Sequence, residues 1–354
     1  MGEKKRMNKK GILLATAAML LAACGTAEVE KSTLSVFFVP SRDNATLVKG
    51  ISYLPAALKA EMAELGFELD SVSVFVGTSY EAVGEALDAG TADVGLIPGG
   101  TYAVYSEDGN IDVALTATRG GLSNDSEDPR DWNQSANKIT TGDPTNQVKY
   151  YRSIGVAGTS AKGRELAAKV NAGEQITWED LQTAKVGVQS ATSSAGRIYP
   201  TLELMELYDK KISDLPSANV IQVSGYGGAA AALASGQVDI AFGYADFRRD
   251  YVNQWVGDYG RTESIWAETD VVFVTDGIYN DTVTVSKVTV DEELKEAIQQ
   301  AFINLVADTT ALPGTTAAPF LVTKDIFTVY SHEGYAIGVD SDYDGARAAN
   351  ALVA

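Results

Sequence analysis

Short apolar runs alternate with segments of helical spacing along most of this chain, which predicts an α/β fold with mainly parallel sheets. Residues 34–39 read as a first strand and 72–76 as a second, with a helix over 54–65 between them. Helical spacing over 81–88 ends at Gly90, and 93–97 is a third strand. Beyond Gly120 the pattern stops. From there to Gln147 the chain is rich in Asp, Asn, Ser, Gly and Thr, which predicts a long surface loop or insertion. Strand character returns at 151–156. A second alternation follows, with helices near 163–170, 201–207 and 229–234 and strands at 184–188, 220–223 and 238–242. Residues 271–274 are apolar and β-branched and are expected to lead back to the first half. Over 289–305 Leu294, Ile298, Ala301, Phe302 and Leu305 share one face of a strongly patterned helix.

One stretch occurs twice. Residues 80–105 and 226–251 align without a gap, matching Tyr80 with Tyr226, Leu87 with Leu233, Gly90 with Gly236, Asp93 with Asp239 and Tyr105 with Tyr251. Two copies this far apart suit two similar lobes rather than a solenoid, which stacks several units in tandem. Two lobes imply a cleft between them, where a ligand is to be sought. A chain of 354 residues, 45% of them hydrophobic, is long enough for two such cores. The expected division is 34–150 plus 276–354 for the first lobe and 151–275 for the second, joined by two crossover strands. A net charge of -19 argues against nucleic-acid binding, because no basic stripe is present to meet phosphates.

The N-terminus reads as a targeting segment. Lys4, Lys5, Arg6, Lys9 and Lys10 precede an apolar run over 11–22, shorter than the roughly 20 residues a bilayer requires. The run ends in Leu21-Ala22-Ala23-Cys24, which resembles the lipobox of bacterial lipoproteins. That resemblance implies removal of 1–23 as a signal peptide, lipid on Cys24, a tether over 24–33 and an extracytoplasmic site of action. Cys24 is the only cysteine, so it has no disulfide partner within the chain.

Chemistry concentrates at two strand-to-helix turns. The turn 189–196 (QSATSSAG) offers the hydroxyls of Ser190, Thr192, Ser193 and Ser194 together with backbone N–H groups at a helix start, a combination suited to an anion. A plain N-cap would use only one of those hydroxyls. The second turn, Ser224-Gly225-Tyr226-Gly227-Gly228, loosely fits a dinucleotide-binding pattern. Its copy at Thr78-Ser79-Tyr80 lacks the glycines, so close helix packing is the preferred reading. No nucleophile elbow, zinc motif or cysteine cluster occurs, and no cofactor or metal is expected. The single histidine, His332, lies in a polar stretch and is expected at the surface.

These residues together resemble the solute-binding proteins of phosphonate, phosphite and phosphate ABC transporters, members of the type 2 periplasmic-binding fold. The resemblance spans roughly 34–312. It rests on VFFVPSRD at 36–43, on Tyr80 opening a helix, on Tyr151 in YYRSIGV, on Ser193-Ser194-Ala195-Gly196 followed by Pro200, and on Ser224-Gly225-Tyr226. It implies that Tyr80, Tyr151, Ser193, Ser194, Ala195 and Tyr226 surround an oxyanion, with Asp246 and Asp276 as acceptors for a ligand amine or protonated oxygen; Asp281 competes with Asp276. In two places the chain departs from the family: Tyr226 stands where the family has histidine, and Ala195 replaces the third hydroxyl. The implied partners are an ABC permease with its ATPase, met by a monomeric, non-enzymatic receptor. The alternatives are a receptor for a sulfonate or amino acid and, from a different class, an extracytoplasmic hydrolase using His332.

Overall fold

A computed structural model describes residues 31–40, 44–189, 193–314, 316 and 320–353. The signal segment, Cys24, Ser190 and Thr192 lie outside the described residues.

Among the described residues the chain forms strands β1 (Thr33–Phe38), β2 (Ser71–Val76), β3 (Val94–Ile97), β4 (Ile111–Leu122), β5 (Gly142–Val148), β6 (Tyr150–Ala157), β7 (Val186–Val188), β8 (Val220–Gln222), β9 (Ile240–Tyr244), β10 (Asp270–Tyr279), β11 (Thr282–Ser286) and β12 (Gly334–Ile337). They build two sheets with helices packed on them. The first runs β12-β4-β11-β3-β1-β2 with β5 beside β4, and the second runs β10-β6-β9-β7-β8. The chain passes from the first sheet to the second between β5 and β6 and returns between β10 and β11. Each sheet forms one lobe of a two-lobed α/β fold.

The sheets are mixed, which corrects the expectation of mainly parallel ones. Parallel pairing is confined to β1 with β2 and β3, and to β7 with β8 and β9; the remaining pairings are antiparallel. A parallel neighbour requires a helical crossover. The strands at the two lobe crossings have no such connection and enter their sheets in the opposite sense.

Local sequence explains the main elements. Leu34, Val36 and Phe38 alternate inward along β1, as half-buried strand residues should. Helix Glu292–Ala307 starts where the Asp291 carboxylate accepts the Leu294 N–H at 2.8 Å, and it buries the apolar face seen in the sequence. Each fully buried Leu or Phe of that face contributes about 1.5–3 kcal/mol. The repeat is also structural. Helices Tyr80–Asp88 and Gly225–Ser235 are both followed by a left-handed glycine, Gly90 and Gly236, each at φ 71°, where a Cβ would be strained.

The segment 120–147 is not the bare loop that its polarity predicts. It contains the end of β4 and most of β5, and between them lies Trp132, with 0% exposure. The Trp132 indole donates to the Ser126 carbonyl at 2.9 Å, and its ring joins the core of the second lobe. Asn133 exchanges two 2.8 Å hydrogen bonds with the Val271 backbone on β10. A buried aromatic and an amide clamp are among the ties that hold this arm, and neither leaves an apolar period to read. Helix Gly99–Tyr105, β11, β12 and the closing helix Asp344–Val353 were likewise absent from the sequence reading.

Candidate functional site

Arg119 on β4 and Tyr151 on β6 stand where two cavities meet between the lobes. The larger, ≈ 700 Å³, has Leu122, Tyr150, Tyr226, Tyr244 and Arg249 on its wall. The smaller, ≈ 60 Å³, is bounded by Gly99, Ser194, Tyr199, Asp281 and Ala349. The Arg119 guanidinium lies 6.0 Å from the centre of the Tyr151 ring and 4.0 Å from the Asp281 carboxylate. Its Nε is buried and has no hydrogen-bond acceptor among the described residues. A permanently charged fork with a donor still open suits an anionic ligand. Sequence reasoning missed Arg119, which sits in no motif; its one signal is its place just before Gly120 and Gly121, where the apolar pattern gives way.

The serine turn adjoins this junction. Ser193 caps a helical run that begins with Ser194–Ile198 and continues through Tyr199–Tyr208. Its hydroxyl accepts the Gly196 N–H at 3.2 Å and lies 3.4 Å from the Tyr226 phenol oxygen. Ser194 faces the smaller cavity. Ala195 is buried, and its carbonyl accepts from the Ser153 hydroxyl at 2.6 Å, which fixes the turn against β6. Tyr226 is the second residue of its helix and meets Tyr244 edge to face, with centroids 4.7 Å apart at 83°. Burial raises the pKa of Tyr151, and it raises that of Tyr226 against a smaller opposing effect of the Ser193 hydroxyl. Both phenols therefore remain neutral donors at neutral pH.

Other expected site residues are placed elsewhere. Tyr80 opens its helix and packs its ring on the core of the first lobe, lining neither cavity. Asp246 borders the larger cavity, but its carboxylate is already engaged. Arg248 donates through Nε at 2.9 Å and Nη2 at 2.7 Å, and the Thr140 hydroxyl donates at 3.0 Å. Both partners of the Asp246–Arg248 pair are fully buried, so removing either would strand a charge. Asp276 is exposed and lines a separate cavity of ≈ 350 Å³ with Tyr199 and Glu203. Asp281 is the acidic residue at the junction. His332 is buried rather than at the surface. Its Nε2 lies 3.3 Å from the Asp281 carboxylate and its Nδ1 3.0 Å from the Tyr335 phenol, so it braces Asp281 and is bonded to neither Ser193 nor Ser194. Among the described residues no group of three His, Cys, Asp or Glu could hold a metal ion, and no helix is long and apolar enough to cross a membrane.

Two similar α/β lobes joined by two crossings, with a polar cleft between them, define a type 2 periplasmic-binding protein. Over residues 36–343 the chain matches the family described as ABC transporter, phosphonate, periplasmic substrate-binding protein, and it belongs to that family. It is thus the extracytoplasmic substrate-binding component of an ABC importer of the phosphonate class. Solved structures share the fold. Mh-p37 of Mycoplasma hyorhinis, described as a putative thiamine pyrophosphate transporter, superposes with a TM-score of 0.66 at 16% identity, over 87% of this chain and 94% of that one. XAC2383 from Xanthomonas citri, bound to ATP, gives 0.57 at 12% identity over 91% and 97%. PhnD1 from Prochlorococcus marinus, in complex with methylphosphonate, gives 0.52 at 14% identity over 91% and 98%. No curated protein matches the chain significantly.

Proposed function

We propose that this receptor holds the oxyanion of its ligand at the Arg119–Tyr151 junction, by binding without chemistry. The observation that carries the reading is Arg119, a guanidinium with a buried, unfilled Nε donor where the two cavities meet. Tyr151 and Tyr226 supply phenolic donors. Ser193, Ser194 and Ala195 supply hydroxyls and the first-turn N–H groups that a helix leaves without intrahelical acceptors. Asp281, in place of Asp276, accepts from a protonated ligand oxygen or an amine. Asp246 is assigned to holding Arg248 rather than ligand. An analogue without the matching donor forgoes the Asp281 contact and binds more weakly. Lobe closure about the two crossings then creates the form that the permease and its ATPase receive. We further assign a lipid anchor to Cys24, and a monomeric state to the receptor.

Calorimetric titration with phosphate, phosphite, methylphosphonate, 2-aminoethylphosphonate and taurine tests this reading. Binding of at least one phosphorus oxyanion at a single site, weakened in Arg119→Ala, is the expected result. Binding of taurine or an amino acid with no response to any phosphorus oxyanion overturns it.

A further inference from the structure

The two cavities that share Arg119 differ about tenfold in volume, ≈ 700 Å³ against ≈ 60 Å³. The larger lies in the range of roughly 300–1,000 Å³ that organic ligands of drug size occupy, whereas an inorganic oxyanion is only a few atoms. Its wall combines charged side chains, Arg119, Arg152, Asp246 and Arg249 among them, with extensive ring surface. Tyr226 and Tyr244 form an edge-to-face pair, Tyr150 adds a third ring, and Leu122 and Val148 add aliphatic surface.

Several of the charged and polar groups on that wall are occupied. Asp246 is held by Arg248 and Thr140. Arg152 donates to Asp125, Glu127 and the Thr275 carbonyl, and Tyr150 also donates to Asp125. Asp250 accepts from the Tyr244 phenol. Arg119 carries an open charged donor at the junction, Arg249 adds a second guanidinium on the chamber wall, and the rings of Tyr150, Tyr226 and Tyr244 line the same chamber. Such a wall rewards a planar or apolar group, because aromatic faces and edges offer dispersion and quadrupole contacts that water does not replace.

Building on the assignment of Arg119 as oxyanion anchor, we propose that the ligand is a phosphonate or phosphate monoester carrying a ring-sized organic body. The oxyanion sits at Arg119, and the body lies in the large chamber against Tyr150, Tyr226 and Tyr244. A bare phosphate or phosphite fills the anchor and leaves the chamber to water.

The test is calorimetric titration of the full chain with phosphite, methylphosphonate, phenylphosphonate, phenyl phosphate and benzenesulfonate. Phenylphosphonate or phenyl phosphate is expected to bind at least about tenfold tighter than methylphosphonate, and the tighter of the two identifies phosphonate or ester. In Tyr244→Ala the phenyl-to-methyl affinity ratio should fall at least about fivefold, a readout that general loosening of the fold does not mimic. Methylphosphonate binding as tightly as phenylphosphonate and phenyl phosphate overturns the proposal while leaving the anchor assignment standing. An unchanged ratio in Tyr244→Ala also overturns it. Binding of benzenesulfonate alone overturns both.

Discussion

Asp93 and Asp239 make the same pair of contacts in the two lobes. Asp93 accepts from the Ser35 backbone N–H at 2.8 Å and the Thr289 hydroxyl at 2.7 Å; Asp239 accepts from the Lys185 N–H at 2.6 Å and the Ser160 hydroxyl at 2.5 Å. Ser35 lies on β1, the parallel neighbour of β3, and Lys185 precedes β7, the parallel neighbour of β9. The duplicated sequence thus carries a duplicated pin. In each lobe a buried carboxylate ties the start of one strand to its neighbour and to a capping or flanking hydroxyl.

Replacing either pin with alanine should therefore cost stability. Hydrogen bonds to a charged acceptor contribute about 1.5–3 kcal/mol each, and the stranded donors add a desolvation penalty. Asp239→Ala and Asp93→Ala are each expected to lower unfolding free energy by about 2–4 kcal/mol, read from urea midpoints at constant slope. A loss under about 1 kcal/mol, the ordinary cost of a point mutation, would show that the pin is incidental.

The architecture was legible because it is written periodically and twice. Apolar runs gave the strands of both lobes, and the matched Tyr80 and Tyr226, Gly90 and Gly236, Asp93 and Asp239 gave their similarity. The arm around Trp132 was not legible, since a lone tryptophan and an asparagine clamp carry no period. Arg119 was hidden for a different reason. Its significance comes from Tyr151, Asp281 and Ser194 meeting it across the cleft, which is a tertiary coincidence. Acidic residues misled because the sequence offers so many: Asp246 is consumed by an arginine two positions away and Asp276 faces outward, while Asp281 occupies the junction.

Arg119 should dominate affinity if it is the anion anchor. Arg119→Ala is expected to weaken methylphosphonate binding by about 10- to 100-fold, the equivalent of one or two charge-assisted hydrogen bonds. Arg119→Lys should recover only part, because an ammonium keeps the charge and loses the planar fork. The melting temperature should change little, as the side chain is half exposed and its nearest carboxylate is 4.0 Å away. Equal affinity for all three proteins would remove Arg119 from the site.

Glu203, on the separate acidic cavity, gives a pH prediction. Burial, and then the nearby Glu206 and Asp276, push its carboxyl up to about 7 from an ordinary 4.5. Between those values the folded chain binds more protons than the unfolded one, so this group's effect is to lower stability as pH rises. Below pH 4.5 both states are protonated and the penalty vanishes. Glu203→Gln should accordingly match the parent near pH 4 and exceed its stability by about 1–3 kcal/mol at pH 8. Thermal melts at the two pH values decide it; a gain of equal size at both would mean that charge is not the cause.

The closing helix Asp344–Val353 touches both lobes. Its Asn350 side chain donates to the Gly100 carbonyl in the first lobe at 3.1 Å, and Lys211 of the second lobe donates to the Leu352 carbonyl at 2.9 Å. Between these ties the buried Ala349 packs with Ile198 and Tyr199, beside the ≈ 60 Å³ cavity. A helix bonded to both sides holds them together, so loosening it should favour the open form. The double variant Lys211→Ala, Asn350→Ala loses one neutral hydrogen bond contributing about 0.5–1.5 kcal/mol and one charge-assisted bond contributing about 1.5–3 kcal/mol. Its ligand-free radius of gyration by solution scattering should exceed that of the parent. Its affinity for methylphosphonate should fall about three- to tenfold, because part of the binding energy is then spent on closure. An unchanged radius together with unchanged affinity would show that the helix merely rests on the cleft.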